Sequence, residues 1–278
     1  MNNYFEGFYF KHQKEEHVLS VIPGKSHNLA FIQVITAHAA YQFTYPAAAF
    51  KKGRVLRLGK CEFSKNGIHL DIHRGGTSIY GDISYKSITP IKYDIMGIFK
   101  YFPTECRHGI LSLHHNLKGY VNIDGKILDF NGGTGYIEKD SGTSFPKSYL
   151  WVQCNAFKEK CSIVASVADI PFMGMHFKGC ICIVYYKGKE YRLATYLGVK
   201  IKYCDEKRLI LEQGKYRLEI EVKGAHGQKL LAPNQGQMTR TVFENVACSA
   251  HFKFFIHKNP LFCYHSEHAS YEYVREFD

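Results

Sequence analysis

The chain has 278 residues, 45% of them apolar and 15% aromatic, with 36 basic and 25 acidic side chains giving a formal charge of +11. That apolar content supports a sizeable core and excludes a disordered chain, and no apolar run reaches the roughly 18 residues of a membrane-spanning helix. The basic residues are scattered without a run of five, which argues against nucleic acid and leaves a solvated basic surface or peripheral contact with an anionic membrane.

The N-terminal MNNYFEGFYFKHQ has no basic stretch followed by an apolar one, so no signal peptide is expected. Nine cysteines without a CxxC pair read as reduced thiols of a cytoplasmic protein. Alternation at period two dominates the chain. In the first strand, over 4–11, Tyr4, Glu6, Phe8 and Phe10 share one face and Tyr9 lies on the other. Glu6 among those aromatics is either a desolvated carboxyl with a raised pKa or one half of a structural ion pair.

Turn signals at Asn66-Gly67, Asp124-Gly125 and Gln213-Gly214 predict hairpins over 61–73, 120–130 and 207–222. Between the first two, 87–102 carries Pro90 and Gly97, with Pro103 just beyond, and reads as a loop with one helical turn. Glu105 and His108 follow, three residues apart. On a helical turn they would share a side and could form a proton-transfer pair, a structural hydrogen bond or an incomplete metal site. His114 and His115 are adjacent on a strand, face opposite ways and should not share an ion.

Tyr136, Glu138 and Asp140 alternate, so a strand aims all three one way. Two carboxylates and a phenol on one face repel unless one carboxyl keeps its proton or a cation sits between them. A carboxylic acid held neutral near pH 7 is what protonation of an alkene requires; the plainer reading is a strand end whose acids face water. A boundary falls at 142–147, dividing the chain into β-domains over 1–145 and 146–278. In the second, Trp151, Gln153 and Asn155 share a strand face. The indole could pack a ligand ring while the amides orient its polar head, or Trp151 could be a core anchor. Cys180 and Cys182 face one side of a later strand, and Tyr216, Leu218, Ile220 and Val222 alternate with Arg217, Glu219 and Glu221. P-loop, GxGxxG, GxSxG and HExxH patterns are absent. Short strands with frequent turns make the chain all-β, a pair of antiparallel barrels or sandwiches enclosing an apolar pocket.

The runs YFEGFYFK, AFIQVI, DIMG, FKYFP, ECRHG, GYIEKD-x-G-x-SFP, WVQCN and LLAPNQGQMTRTVFEN, in that order over residues 4–245, resemble the signature blocks of bacterial members of the tocopherol cyclase family. The resemblance implies two tandem lipocalin-like domains and an apolar ligand of prenyl or quinone type. It also implies closure of a chromanol ring by protonation of a trisubstituted double bond, with no cofactor and no metal. In that reading Asp140 or Glu138 donates the proton and Glu105 with His108 is the reserve pair. Tyr136, Trp151, Gln153, Glu6, Phe8 and Tyr9 shape the ligand site. Ser141 and Phe8 stand where the family pattern has Trp. Loss of indole walls there favours the alternative of a carrier that binds a lipid or quinone unchanged; a third reading is an interaction module whose pocket has collapsed.

Overall fold

The computed structural model describes residues 3–172, 175–224 and 227–275. It is built of antiparallel strands with three short 3₁₀ turns among the described residues. The first eleven strands are β1 (Phe5–Lys14), β2 (His17–Lys25), β3 (Leu29–Ile35), β4 (Ala40–Pro46), β5 (Leu56–Leu58), β6 (Cys61–Ser64), β7 (Gly67–Arg74), β8 (Thr77–Lys86), β9 (Cys106–Ile123), β10 (Lys126–Asp129) and β11 (Thr134–Gly142). They form one sheet in the order β4-β3-β2-β1-β11-β9-β8-β7-β6-β5, with β10 paired to β9.

The remaining ten are β12 (Tyr149–Cys154), β13 (Cys161–Phe172), β14 (Met175–Tyr186), β15 (Lys189–Ala194), β16 (Lys200–Cys204), β17 (Arg208–Gln213), β18 (Tyr216–Lys223), β19 (Gln228–Asn234), β20 (Gln237–Ile256) and β21 (Asn259–Val274). Their sheet runs β15-β14-β13-β12-β21-β20-β18-β17-β16, with β19 on β20. No helix among the described residues is long and apolar enough to cross a membrane.

The all-β class and its lipocalin-like, antiparallel sheets are as the sequence indicates, but neither sheet closes into a barrel. The first ends at β4, which finishes on Pro46, and at β5, which is three residues long. A proline and so short an edge leave few backbone groups to pair. The chain divides into two compact units. One contains Met1–Ile91, His108–Ser144 and Leu230–Thr241; the other contains Lys92–Arg107, Phe145–Lys229 and Val242–Asp278. Segments 92–107 and 230–241 therefore each belong to the unit that a single cut after residue 145 would not give them.

All three predicted hairpins form. At 124–125 the turn is the predicted pair, both residues in the left-handed region (φ 51° and 90°), as a type I′ turn demands. In the other two the turn moves one residue: Ser64 pairs with Gly67 around Lys65-Asn66, and Gln213 with Tyr216 around Gly214-Lys215. The loop at 87–102 carries a 3₁₀ turn, Gly97–Tyr101. It is pinned within its own unit by Arg192, whose guanidinium donates to the Asp94 and Tyr93 carbonyls and stacks on the Tyr93 ring.

Each sheet keeps its own core. The first includes Phe10, Leu19, Val21, Phe63, Leu70, Phe130 and Ile137. The second includes Leu150, Val152, Cys154, Leu218, Ile220, Phe252 and Phe254, with Cys180 and Cys182 on one side as expected. Burial pushes the thiols of both cysteines up, keeping them protonated. Inside the first core sits a cluster the sequence did not reveal. His12 Nδ1 donates to the Leu19 carbonyl, so its Nε2 accepts from the Tyr85 hydroxyl at 2.6 Å, and the His115 ring packs 4.3 Å from that of Tyr85. A Cβ at Gly135 would lie 2.2 Å from His115 Nε2, so glycine is what lets the ring lie against β11.

Candidate active site

Strands β1, β11 and β9 are neighbours in the first sheet. The register sets Tyr9 opposite Glu138, Lys11 opposite Tyr136 and Gly7 opposite Asp140. Side chains alternate along a strand. Ile137 enters the core, so Tyr136, Glu138 and Asp140 emerge on the face turned away from it, with Tyr9 and Lys11 beside them. This face is nonetheless buried: Lys11 and Tyr136 are 0% exposed, Glu138 5% and Tyr9 6%.

β9 delivers His108 to the same place. Its Nδ1 lies 2.8 Å from Asp140 Oδ1, a charge-assisted hydrogen-bond distance, and its Nε2 lies 3.6 Å from Glu138 Oε2, beyond one. The Tyr136 hydroxyl donates to Glu138 Oε2 at 2.6 Å. Burial, then the charge and hydrogen bond of Glu138, hold the Tyr136 phenol well above its ordinary pKa, so it remains a donor. The result is a chain of groups: phenol, carboxyl, imidazole, carboxyl. Lys11, buried on the same face opposite Tyr136, adds a basic group to the set. Glu138 is the more enclosed carboxyl, with a side chain 6% exposed against 19% for Asp140.

His108, Glu138 and Asp140 offer ligand atoms within 4.8 Å of one another, close enough to hold a metal ion. In the closest contacts the imidazole turns Nδ1 to Asp140 and Nε2 to Glu138, an arrangement that also suits proton transfer.

Tyr136, Glu138, Asp140, His108 and Tyr9 are thus brought together. Glu105 is not: β9 begins at Cys106, Glu105 sits exposed in the bend before it, and no helical turn places it beside His108. In extended chain, residues three apart point to opposite faces. Glu6 and Phe8 also fall away from the cluster, because alternation puts them on the opposite face of β1. Glu6 accepts from Lys139 at 2.7 Å and from Lys52. Burial pushes its carboxyl up, but the two ammonium groups outweigh that and hold it below its ordinary value, contrary to the rise expected of a desolvated acid. Phe8 packs against the core beneath those ammonium groups, and Ser141, opposite Glu6 in register, shares its face.

In the second sheet Leu150, Val152 and Cys154 enter the core. Trp151 and Gln153 therefore face away from it, yet both are buried, as is Asn155 just beyond the strand. Tyr149 and Glu272 share that face, the hydroxyl donating to the carboxyl at 2.5 Å, and buried Glu244 is the cross-strand partner of Glu272. Sequence reasoning missed Lys11 and this second Tyr–Glu pair. A charged residue in an alternating strand reads as solvent-facing, and nothing in one strand announces that both of its faces are covered.

The fold and the cluster define a class: an all-β protein with a buried acid–base array on the face of a lipocalin-like sheet turned away from that sheet's core. The family described as Tocopherol cyclase-like matches residues 78–272, more than half of the chain, and the protein belongs to it. A probable chloroplastic tocopherol cyclase of Oryza sativa subsp. japonica is 27% identical over 127 residues, 43% of this chain and 26% of that protein. The chain thus spans about a quarter of that relative's length. Kievitone hydratase from Nectria haematococca superposes with a TM-score of 0.57 at 11% identity, covering 97% of this chain and 88% of its own. CghA superposes with a TM-score of 0.61 at 9% identity, covering 98% and 88%. These two likenesses are of fold.

Proposed function

We propose that the protein is a cofactor-free acid catalyst that adds a proton to a carbon–carbon double bond of an apolar isoprenoid, a prenylated quinol in the first instance, and closes a ring or admits water. The observation that carries the proposal is the Tyr136–Glu138–His108–Asp140 array on one buried face. Protonated Glu138 gives its proton to the less substituted alkene carbon, forming a tertiary cation. The carboxylate left behind is stabilised by the Tyr136 hydroxyl and by the His108 imidazolium, itself held by Asp140. The phenol oxygen of the substrate attacks the cation, a C–O bond forms, and the phenol proton returns to Glu138. Water in place of the phenol gives the hydrated product by the same steps. A family named for a cyclase and a fold shared with a hydratase fit these two outcomes of one protonation. General acid catalysis contributes about 10²–10⁴-fold, so folding of the chain-like substrate in a water-poor site supplies much of the rest.

Incubation with a geranylgeranyl-substituted hydroquinone in D₂O is the test. The expected product has the substrate's composition with one deuterium bound to carbon. Recovery of unchanged ligand free of carbon-bound deuterium would overturn the proposal in favour of a carrier. The carrier reading drew on Phe8 and Ser141; both lie on the sheet face opposite Glu138, so their departure from the family pattern leaves the acid array untouched.

A further inference from the structure

Gln153 is completely buried, and neither its carbonyl oxygen nor its amide nitrogen has a hydrogen-bond partner among the described residues. It lies in the interior of a sheet, on β12 between β13 and β21, opposite Val164 on one side and Ser270 on the other, both fully buried. The strand ladder uses its backbone, so the amide alone is left over. Two positions along β13 from Val164, on the same face, stands Ser162, also 0% exposed and with its hydroxyl unpartnered among the described residues. Trp151 shares that face one step along β12. The core of this unit takes Leu150, Val152 and Cys154 from the alternate positions, so the amide is not spare polarity inside that core.

A buried amide with both ends unsatisfied costs stability, and a leucine of similar length would not. Such a group calls for a partner, whether a ligand or an ordered water. We propose that Gln153, with Ser162 beside it, is the hydrogen-bonding anchor for the ring oxygen of an apolar-tailed quinone or quinol, and that the Trp151 indole packs on the same ring. An amide presents one donor and one acceptor side by side, matching a phenolic hydroxyl with both and a quinone carbonyl with its N–H. The choice of ligand class rests on the acid-catalyst reading above; the existence of the anchor rests on the amide.

Trp151 is the only tryptophan in the chain, so its fluorescence reports on this face alone. The probe is 2-decyl-1,4-benzoquinone, whose ring quenches indole emission. Wild-type protein is expected to show saturable quenching. Gln153→Leu should weaken the apparent affinity at least tenfold while raising the melting temperature, since it removes an unsatisfied group. Ser162→Ala should weaken it less. Unsaturable quenching in the wild type, equal affinity in Gln153→Leu, or a lower melting temperature in that variant would each overturn the inference. Glu138→Gln separates the two proposals: it keeps saturable quenching whether or not it retains turnover, so a failed anchor and a failed acid give different results.

Discussion

His108 Nδ1 lies 2.8 Å from Asp140 Oδ1 across 32 residues of sequence. The contact fixes the ring so that its other nitrogen is aimed at Glu138. In the proposed reaction Asp140 is therefore a positioning residue. Asp140→Asn should lower turnover by about 10–100-fold, short of the full general-acid contribution, with KM within a few-fold of wild type. The proposed acid needs no metal, so exhaustive treatment with a chelator should leave turnover intact. Steady-state kinetics before and after chelation check both expectations.

Glu6 is ion-paired with Lys139 and Lys52 and takes no part in the proposed reaction. Glu6→Gln removes charge-assisted hydrogen bonds from a group 2% exposed, while half-exposed Lys52 is screened by solvent. The expected loss is about 1–3 kcal/mol of unfolding free energy in denaturant titration. Turnover per folded molecule should be unchanged, because Glu6 sits on the opposite face of β1 from Tyr9. A large loss of turnover in fully folded Glu6→Gln would contradict the assignment of faces.

Burial depresses His12 to about 4 and, aided by the neighbouring imidazoles, His115 to about 2, from an ordinary 6.5. Both are neutral in the folded protein and take up protons on unfolding. Their contribution to stability is fully present above pH 6.5. It is lost as pH falls from 6.5 toward the folded values, at about 1.4 kcal/mol per pH unit for each histidine. Unfolding free energy measured from pH 7 to pH 4 should fall steeply. His12→Gln, which can still bond Tyr85 but does not titrate, should flatten that slope.

Gly135→Ala should be destabilising out of proportion to one methyl group. The added carbon would meet the His115 ring, and moving that ring disturbs its packing on Tyr85. A cost of about 1–3 kcal/mol is expected for such overpacking, read from thermal or denaturant unfolding. An unchanged stability would mean that the ring has room the structure does not show.

The strands were legible because their alternation is strict: Leu218, Ile220 and Val222 point inward and Glu219 and Glu221 outward, just as the residues stand in sequence. The same alternation identified Tyr136, Glu138 and Asp140 as a set. It could not supply His108's partners, because those depend on which strands become neighbours, and β9 meets β11 only through the sheet order. Reading Glu105 and His108 as a pair assumed a helical turn where extended chain begins. The open edges of the sheets were hidden for a related reason: closure depends on a short β5 and a proline at the end of β4, not on the pattern within any strand.

The central claim is that Glu138 carries the proton that reaches the substrate. The most direct measurement is turnover of a prenylated hydroquinone by Glu138→Gln, a change that keeps shape and a hydrogen bond to Tyr136 while removing the acid. The account predicts a fall in kcat of about 10²–10⁴-fold, with binding of the substrate within a few-fold of wild type and no loss of fold. A variant that turns substrate over at the wild-type rate would contradict it.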